Sequence, residues 1–514
     1  MSDQWIHSCG FGSTLPASRA DQTHQPVLPE DVWYIIAHYM SAKELVTSSH
    51  VCSSWRATLL GYPTLWSRIE FTAKATRRGG SGRMELSDSL RISKLNRLNA
   101  LLPRSGSSLI SLRLVLDTFA AARVLRDLIA AVQPHAQRIV DLHLSVPDRS
   151  TLARIVGDFS LTILRTLSIE EEEAEERAWS RIVSRPGGFS FTQIKTPALE
   201  RLVLSTGSRF QTQGVLTSLR ALRFWCWDIQ ALETALLSCP NLRELDVDVD
   251  CTDPNGWQTP APPPASHVGI PGDTWTGIAS RATLLPNVRV RGVTHQHHPT
   301  IMALFAAETN RRSLALEYPA AIIDYPAELT DNILSIFSHL QSPVNLTVSS
   351  SPALYGRFEV ITFTGMGLDE LHREVTLSTT EPGRIIASFF DQSLPRTSVR
   401  SLTLDASLWK IFQQSCGDLP NLEHVLVRFP GGPYTSSFGE TVGAPSAWPA
   451  LRTLRLVGVG AERPILTVQT ILNTIYTLRL LEKLQLLVLE RIDLLGPTHE
   501  LAQMDAAQRV DLPQ

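Results

Sequence analysis

The sequence has 514 residues, of which 43% are hydrophobic, and its 47 basic and 50 acidic residues give a net charge of −3. This balance argues against a nucleic-acid-binding protein, and the apolar content is enough for a core. The length allows about two or three domains or one long repeat array. No apolar run reaches the roughly 18 residues that a membrane-spanning helix needs, so we expect no membrane partner.

Residues 1–26 are polar and are predicted to be a disordered N-terminal tail. They lack the basic start, apolar run and cleavage site of a secretory signal. The cysteines are widely spaced and contain no C-x-x-C pair, which indicates reduced thiols. Together these features predict a cytoplasmic or nuclear protein.

Residues 27–72 form an apolar block whose first part predicts a helix. Pro29 suits a first helical turn, and Glu30 and Asp31 place negative charge at the positive end of the helix dipole. An apolar face with i, i+3, i+4, i+7 spacing follows at Val32, Ile35, Ile36 and Tyr39. This face must be buried against something.

Two further short helices are predicted in the same block. Ser41 and Glu44 have the spacing of a capping box at the start of the second helix. The third helix can be stopped by Gly61 and Pro63, and its apolar stripe consists of Val51, Cys52, Trp55 and Leu59. A unit of about 45 residues buries little apolar surface to offset its chain entropy, so we expect it to share that surface with a partner.

The order and spacing of "LPEDVWYII", "HVCSSWR" and "PTLWSRIEF" in this block resemble those of an F-box. The resemblance implies docking onto a Skp-type adaptor and, through it, onto a cullin in a cullin-RING (SCF-type) ubiquitin ligase. The adaptor-binding residues that it implies are Leu28, Pro29, Val32, Ile35, Leu45, Val51, Cys52, Trp55 and Trp66. The candidates for packing inside the block instead are Val51, Ile36 and Leu59. A helical cap over the first turn of a following array is the alternative, and both roles are compatible.

Residues 73–106 are predicted to be a connector, in which "RRGGSGR" is a flexible, solvated loop. Beyond it, residues 107–495 contain fourteen candidate strands in which two apolar residues alternate with polar ones. Their mean separation of about 29 residues is within reach of the leucine-rich-repeat range. The apolar pairs are Leu112/Leu114, Leu142/Leu144, Leu167/Ile169, Leu202/Leu204, Leu222/Phe224, Leu245/Val247, Val288/Val290, Leu314/Leu316, Leu346/Val348, Val375/Leu377, Leu402/Leu404, Val425/Val427, Leu454/Leu456 and Leu486/Val488.

Several copies, such as "LERLVL" and "LRTLRL", resemble degenerate leucine-rich repeats, and helix-like segments lie between them. The predicted fold class is therefore α/β: a three-helix F-box followed by an irregular leucine-rich-repeat solenoid, with a curved parallel sheet inside and helices outside. Loop insertions are predicted near 251–275, 353–379 and 429–449, of which the second could equally be an antiparallel hairpin. Residues 496–514 are predicted to be a C-terminal tail.

Motifs with catalytic or ligand-binding chemistry are few. "HQHH" at 295–298 has no cysteine or carboxylate cluster nearby, which favours a polar surface loop over a metal site. The acidic run at 170–176 is more typical of a solvated helix start than of a binding site. No nucleotide-binding, hydrolase or metalloprotease motif occurs in a fitting context. We therefore expect a protein that is not an enzyme, with no catalytic residue, metal or cofactor.

A substrate-recognition subunit of such a ligase is the leading hypothesis for the function. Its array would bind an unknown target protein through outward strand positions, and proximity would accelerate ubiquitin transfer. The substrate-binding candidates are Arg201, Arg220, Arg223, Trp225, Trp227, Glu244, Asp246, Arg452 and Arg455. The two tryptophans are equally compatible with local packing under a loop. An interaction scaffold without ubiquitin transfer is the alternative, and an enzyme on a repeat scaffold would need a convergent polar cluster.

Overall fold

The computed structural model describes most of the chain between residues 29 and 502. The predicted tail 1–26, Leu28, Trp227 and the predicted insertion 251–275 lie outside the described residues. The described ranges are 29–74, 76–77, 84–85, 88–146, 149–171, 189–190, 196–204, 210–211, 214–226, 229–249, 279–294, 297–306, 311–318, 333–352, 359–431, 438, 448–480 and 483–502.

Three helices and a 3-10 turn form the N-terminal unit, as the apolar spacing predicts. Their bounds are α1 Glu30–His38, α2 Ala42–Ser48, α3 Ser53–Gly61 and the 3-10 turn Pro63–Trp66. Pro29 is the N-cap of α1 rather than its first helical residue. The predicted capping box is present, because the amide of Glu44 donates to Ser41 Oγ at 3.3 Å and the amide of Ser41 donates to Glu44 Oε2 at 2.6 Å.

The N-terminal unit continues directly into a sheet. Strand β1 (Arg68–Ala73) begins inside the predicted apolar block and pairs in parallel with β2 (Ile110–Leu116). Helix α4 (Asp88–Arg104) packs against β1, and Lys94 Nζ donates to the carbonyl of Thr72 at 2.6 Å. The prediction of a connector over 73–106 is therefore wrong for α4, whose buried apolar residues have helical spacing: Leu95, Leu98, Leu101 and Leu102.

One sheet of sixteen strands organises the rest of the described chain. Its order is β1 to β9, then β12, β11, β10, then β13 to β16, and neighbours are parallel except in the pairs β10/β11 and β11/β12. The structure is thus mixed α/β with a large, mostly parallel sheet. The strands after β2 are β3 Ile139–Val146, β4 Thr166–Glu171, β5 Arg201–Leu204, β6 Ala221–Cys226, β7 Glu244–Val249, β8 Asn287–Arg291, β9 Ser313–Glu317, β10 Val344–Pro352, β11 Glu359–Met366, β12 His372–Thr379, β13 Val399–Asp405, β14 His424–Phe429, β15 Thr453–Gly458 and β16 Leu486–Glu490.

Helices connect many of these strands. They are α5 Thr118–Val132, α6 Arg149–Asp158, α7 Ile229–Ser238, α8 His298–Ile301, α9 Pro382–Ser388, α10 Trp409–Cys416, α11 Val468–Thr477 and α12 His499–Ala502. In the ranges given above, no helix combines the length and the hydropathy needed to cross a bilayer.

Two rows of buried side chains run across the sheet and pack under the helices. The strand register aligns Leu112 with Leu142 and Leu114 with Leu144, and it continues this alignment through the following strands. These residues belong to the predicted apolar pairs, so the alternation identified the core face correctly. In β16 the prediction of which residues face the core is wrong, because four consecutive apolar residues leave the alternation ambiguous. The buried residues there are Leu487 and Leu489, whereas Leu486 and Val488 are half-buried.

Strands β10, β11 and β12 interrupt the simple strand order. β9 pairs in parallel with β12, the three strands form an antiparallel meander, and β10 pairs in parallel with β13. The predicted loop insertion at 353–379 is therefore wrong for residues 359–366 and 372–379, which form two strands of the sheet, as in the hairpin alternative. Gly365 in β11 permits close packing, since a Cβ atom there would lie 2.6 Å from Leu340 Cδ1.

Buried side chains also anchor the other predicted irregular segments. In the insertion at 429–449, Phe438 and Trp448 are buried, and their ring centroids lie 4.9 Å and 5.9 Å from that of Trp409. In the predicted tail 496–514, α12 buries Leu501. The prediction of a tail is therefore wrong for residues 499–502, which form α12.

Candidate functional site

The inner half of the N-terminal unit is held together by residues from the predicted adaptor set. Leu45 and Trp66 are each 2% exposed, and Trp66 Nε1 donates to the carbonyl of Leu59 at 2.8 Å. Leu59 is itself buried, as expected. The structure therefore places Leu45 and Trp66 in the core rather than on an adaptor-facing surface. The sequence could not separate the two roles because both require apolar residues.

The outer half of the unit leaves a row of apolar side chains uncovered on α1. Ile35 is 58% exposed and Tyr39 is 84% exposed, while Ile36 is also exposed and Val32 is half-buried. We call these four residues the α1 apolar face. Val51, just before α3, is exposed as well, so the expectation that Ile36 and Val51 pack inside is wrong. Ile36 and Tyr39 belong with the adaptor-facing candidates, and the helical spacing already grouped them with Ile35.

Local contacts explain three other residues of the predicted adaptor set. Cys52 is the N-cap of α3, and its Sγ accepts from the amide of Trp55 at 3.4 Å. The half-buried Trp55 ring contacts Trp33 edge to face, with 3.9 Å between centroids, and so joins α3 to α1. Pro29 is exposed at the start of α1. Each of the three thus has a role in the fold and some accessible surface.

Charged side chains on the outward face of the sheet, opposite the buried rows, pair with one another. Arg201 lies 2.9 Å from Glu244, and Arg223 lies 3.3 Å from Asp248. Arg291 lies 2.7 Å from Asp246 and 3.0 Å from Asp248. We call the complete set the charge network, and its members are Arg201, Arg223, Arg289, Arg291, Glu244, Asp246, Asp248, Glu317 and Glu374.

The strand register produces this network. Arg223, Asp246 and Arg289 are direct neighbours on β6, β7 and β8, so opposite charges face each other across the strands. The predicted substrate-binding residues in the network therefore have each other, or nearby strand residues, as ion-pair partners. The sequence prediction missed five members of the network, which are Asp248, Arg289, Arg291, Glu317 and Glu374. The first three lie in the motifs "LDVDV" and "NVRVR", where charged and apolar residues alternate in the same way.

Arg291, Asp248 and Asp246 are among the least exposed members of the network, with 20%, 23% and 28% of their side chains in water. Burial raises the pKa of Asp246, and the nearby Arg291 and Arg223 only partly offset this effect. Burial by itself lowers the pKa of Arg291, but Asp246 and Asp248 outweigh it and raise the pKa. Each charge of this pair therefore depends on the other for its stabilisation.

Two other predicted substrate-binding residues do not lie on the outward face. Arg220 immediately precedes β6 and Arg452 immediately precedes β15, at the edge where the strands begin. Their prediction as outward strand residues is wrong because both precede their strands and have the parity of the buried positions rather than that of the outward ones. Arg455 lies on β15 and does pair across the outward face, with Glu490 at 2.7 Å.

Trp225 is half-buried on β6, beside Asp248 in the strand register.

The acidic run at 170–176 begins in β4 rather than in a helix, since Glu170 and Glu171 are strand residues. Residues 172–176 of that run lie outside the described residues. The prediction of a helix start is therefore wrong where the structure tests it.

The "HQHH" motif is not a surface loop at its described residues. His297 and His298 are buried, and His298 Nδ1 lies 2.9 Å from the Tyr318 hydroxyl. Burial lowers the pKa of His298 to about 4. Within the described ranges, no group of three or more histidine, cysteine or acidic residues could hold a metal ion.

Comparison with protein families identifies the N-terminal unit. Residues 26–72 match the F-box-like family model, which confirms the resemblance of this block to an F-box. No curated protein matches the chain. An F-box-like segment is a module for protein–protein interaction, and the α1 apolar face lies within the matched residues.

Proposed function

We propose that the protein is a substrate-recognition subunit of a cullin-RING (SCF-type) ubiquitin ligase, with its N-terminal unit bound to a Skp-type adaptor. The observation that carries the proposal is the α1 apolar face inside a segment that matches the F-box-like family. Ile35, Ile36 and Tyr39 on this face are exposed among the described residues, and exposed apolar patches mark interaction sites. F-box segments typically bind adaptors of this type.

The sheet, in this proposal, is an irregular solenoid of leucine-rich-repeat type that holds a target protein. Strand order follows chain order from β1 to β9 and from β13 to β16, which supports this interpretation. The protein supplies no catalytic group, because holding a target beside a ubiquitin-loaded enzyme raises its local concentration. A cytoplasmic or nuclear location is part of the same proposal.

Co-expression with a Skp-type adaptor tests the docking step. We expect the full-length chain to co-purify with the adaptor and to bind it in calorimetry. Ile35→Asp places a charge on the α1 apolar face and should weaken Kd by at least about thirtyfold, as the loss of a central apolar contact does. Val459→Asp is the matched control, because Val459 is 54% exposed, lies outside the N-terminal unit and should tolerate the same charge.

Two results would contradict the proposal: no adaptor binding by the folded wild-type chain, or equal losses in both variants. Cullin in the purified complex separates a ligase subunit from a scaffold that acts without ubiquitin transfer. Cullin that co-purifies with wild type but not with Ile35→Asp supports the ligase. Adaptor that co-purifies without cullin supports the scaffold.

A further inference from the structure

A cleft of about 710 Å³ opens at the edge of the sheet where β4 to β8 begin. Backbone hydrogen bonds fix the spacing of its wall: the Glu200 amide donates to the Arg165 carbonyl at 2.8 Å, and the Arg220 amide donates to the Glu200 carbonyl at 2.8 Å. The Arg243 amide continues the ladder to the Arg220 carbonyl at 2.7 Å. We call this the rim cleft, defined by Arg165, Glu200, Arg220, Arg243, Leu284 and Pro286.

The rim cleft carries positive charge that the described chain does not neutralise. Arg165, Arg220 and Arg243 are exposed, and none of them makes an ion pair with another described residue. Glu200 is the one acidic side chain among the described residues that line the cleft. Three arginines against one glutamate leave a local excess of positive charge, unlike in the charge network, where each arginine has a carboxylate partner.

The equivalent edge near β13 to β15 provides a contrast. Arg400 and Glu423, which occupy the corresponding positions there, form an ion pair at 3.0 Å. The hydrogen bond from Arg400 lowers the pKa of Glu423. The edge of the sheet can therefore neutralise its arginines, and it does not do so at the rim cleft within the described residues.

The rim cleft also exposes apolar surface beside its arginines. Leu284 is 70% exposed and lines the cleft together with Pro240 and Pro286. Asn241 Nδ2 donates to the carbonyl of Thr217 at 2.7 Å and so orders the facing turns. A nucleic-acid backbone would meet Glu200 and gain nothing from Leu284. A peptide with both acidic and apolar side chains would use both parts of the lining.

We propose that the rim cleft binds an acidic peptide segment of the target protein, with carboxylates against Arg220 and Arg243 and an apolar side chain against Leu284. This inference rests on the proposed function, because it specifies the chemistry of the target. The arginines face water, so their attraction for carboxylates is screened by salt and favours specificity and association rate. Affinity for the peptide should therefore fall as salt rises.

Fluorescence anisotropy of the full-length chain with a labelled peptide of alternating glutamate and leucine tests the site. The combined substitution Arg220→Glu and Arg243→Glu should weaken binding by about tenfold, since it replaces two exposed ion pairs with carboxylates of the peptide by repulsion. Leu284→Ser should weaken it by about fivefold through lost apolar contact. Arg452→Glu is the matched control, because Arg452 also precedes a strand but lies outside the rim cleft. It should bind as wild type.

Several results would overturn the inference. They are no binding of the acidic peptide, equal binding of a lysine–leucine peptide or of oligothymidylate, and binding that the Arg220 and Arg243 substitutions leave unchanged. Adaptor binding by the same variants separates this inference from the proposed function. A chain that binds the adaptor but not the peptide refutes the rim cleft alone. A chain that binds the peptide but not the adaptor refutes the ligase proposal alone.

Discussion

The α1 apolar face and the outward face of β5 to β9 differ in where their partners lie. On the sheet, arginines and carboxylates satisfy each other, as Arg291 does with Asp246 at 2.7 Å. On α1, Ile35 and Tyr39 are 58% and 84% exposed in the part of the chain that the structure describes. An exposed charged surface can thus be complete within one chain, whereas an exposed apolar row is completed only by a second chain.

This difference shows how to weigh exposed residues in a chain with an unknown partner. Charges on the outward face support the sheet first, so their presence alone does not locate a target. The rim cleft is informative because its arginines lack the carboxylate partners that the arginines of the charge network have among the described residues.

The inner half of the N-terminal unit should be the most sensitive to substitution. Trp66→Ala removes a buried ring and its hydrogen bond to Leu59, and it should lower the free energy of unfolding by about 3–5 kcal/mol. Urea unfolding of the full-length chain measures the loss. A change no larger than that of an exposed-residue variant such as Ile35→Ala would contradict the assignment of Trp66 to the core.

Acid should destabilise the sheet through His298. Its pKa falls from 6.5 to about 4 on folding, so between these values the unfolded chain binds the proton more readily. The stabilisation is complete above the unfolded pKa and is lost as pH falls, by up to about 3 kcal/mol. Urea unfolding at several pH values measures it, and His298→Phe should flatten the profile. A variant with the wild-type profile would refute the role of His298.

Within the charge network, Arg291 should matter most. Arg291→Met leaves Asp246 and Asp248 half-buried with less compensation, so we expect a loss of about 1–3 kcal/mol in the free energy of unfolding. Adding Asp246→Asn should recover part of this loss, because the unpaired carboxylate is then gone. A double-mutant cycle by urea unfolding measures the coupling, and strictly additive losses would show that the pair is not coupled.

Exposed pairs of the same network should contribute little. Arg201 and Glu244 each have about half of the side chain in water, so Arg201→Ala should cost at most about 1 kcal/mol. The effect should shrink further in high salt. Thermal unfolding at low and high salt measures both values. A loss as large as that of Arg291→Met would mean that burial does not rank the members of the network.

The sequence predicted the strands well because apolar and polar residues alternate in a strand that has one face buried and one face in water. The pair Leu222 and Phe224 is buried in β6, as the pattern requires. The prediction failed at β16, where consecutive apolar residues do not show which positions face the core. At β11 and β12 it left a loop insertion and an antiparallel hairpin open, because antiparallel and parallel strands have the same alternation.

Side-chain roles within the N-terminal unit were harder to predict for a different physical reason. Leu45 and Ile35 are both apolar residues on short helices, yet one lies in the core and the other faces water. The packing of α1 and α2 against α3 decides between them, and this packing depends on contacts between helices such as that of Trp33 with Trp55. Likewise, the pairing of Arg223 with Asp248 needs the strand register, which the sequence alone does not supply.

The position of β1 limits how this protein can be divided or recombined. The F-box-like match ends at residue 72, within β1, which pairs with β2 along its whole length. Cutting the chain just after this match would strip Ile69 and Phe71 of the sheet that buries them and would leave β2 as an open edge prone to pairing with other chains. A chimera that exchanges only the helices of the N-terminal unit must therefore be joined before Arg68, so that β1 stays with the sheet.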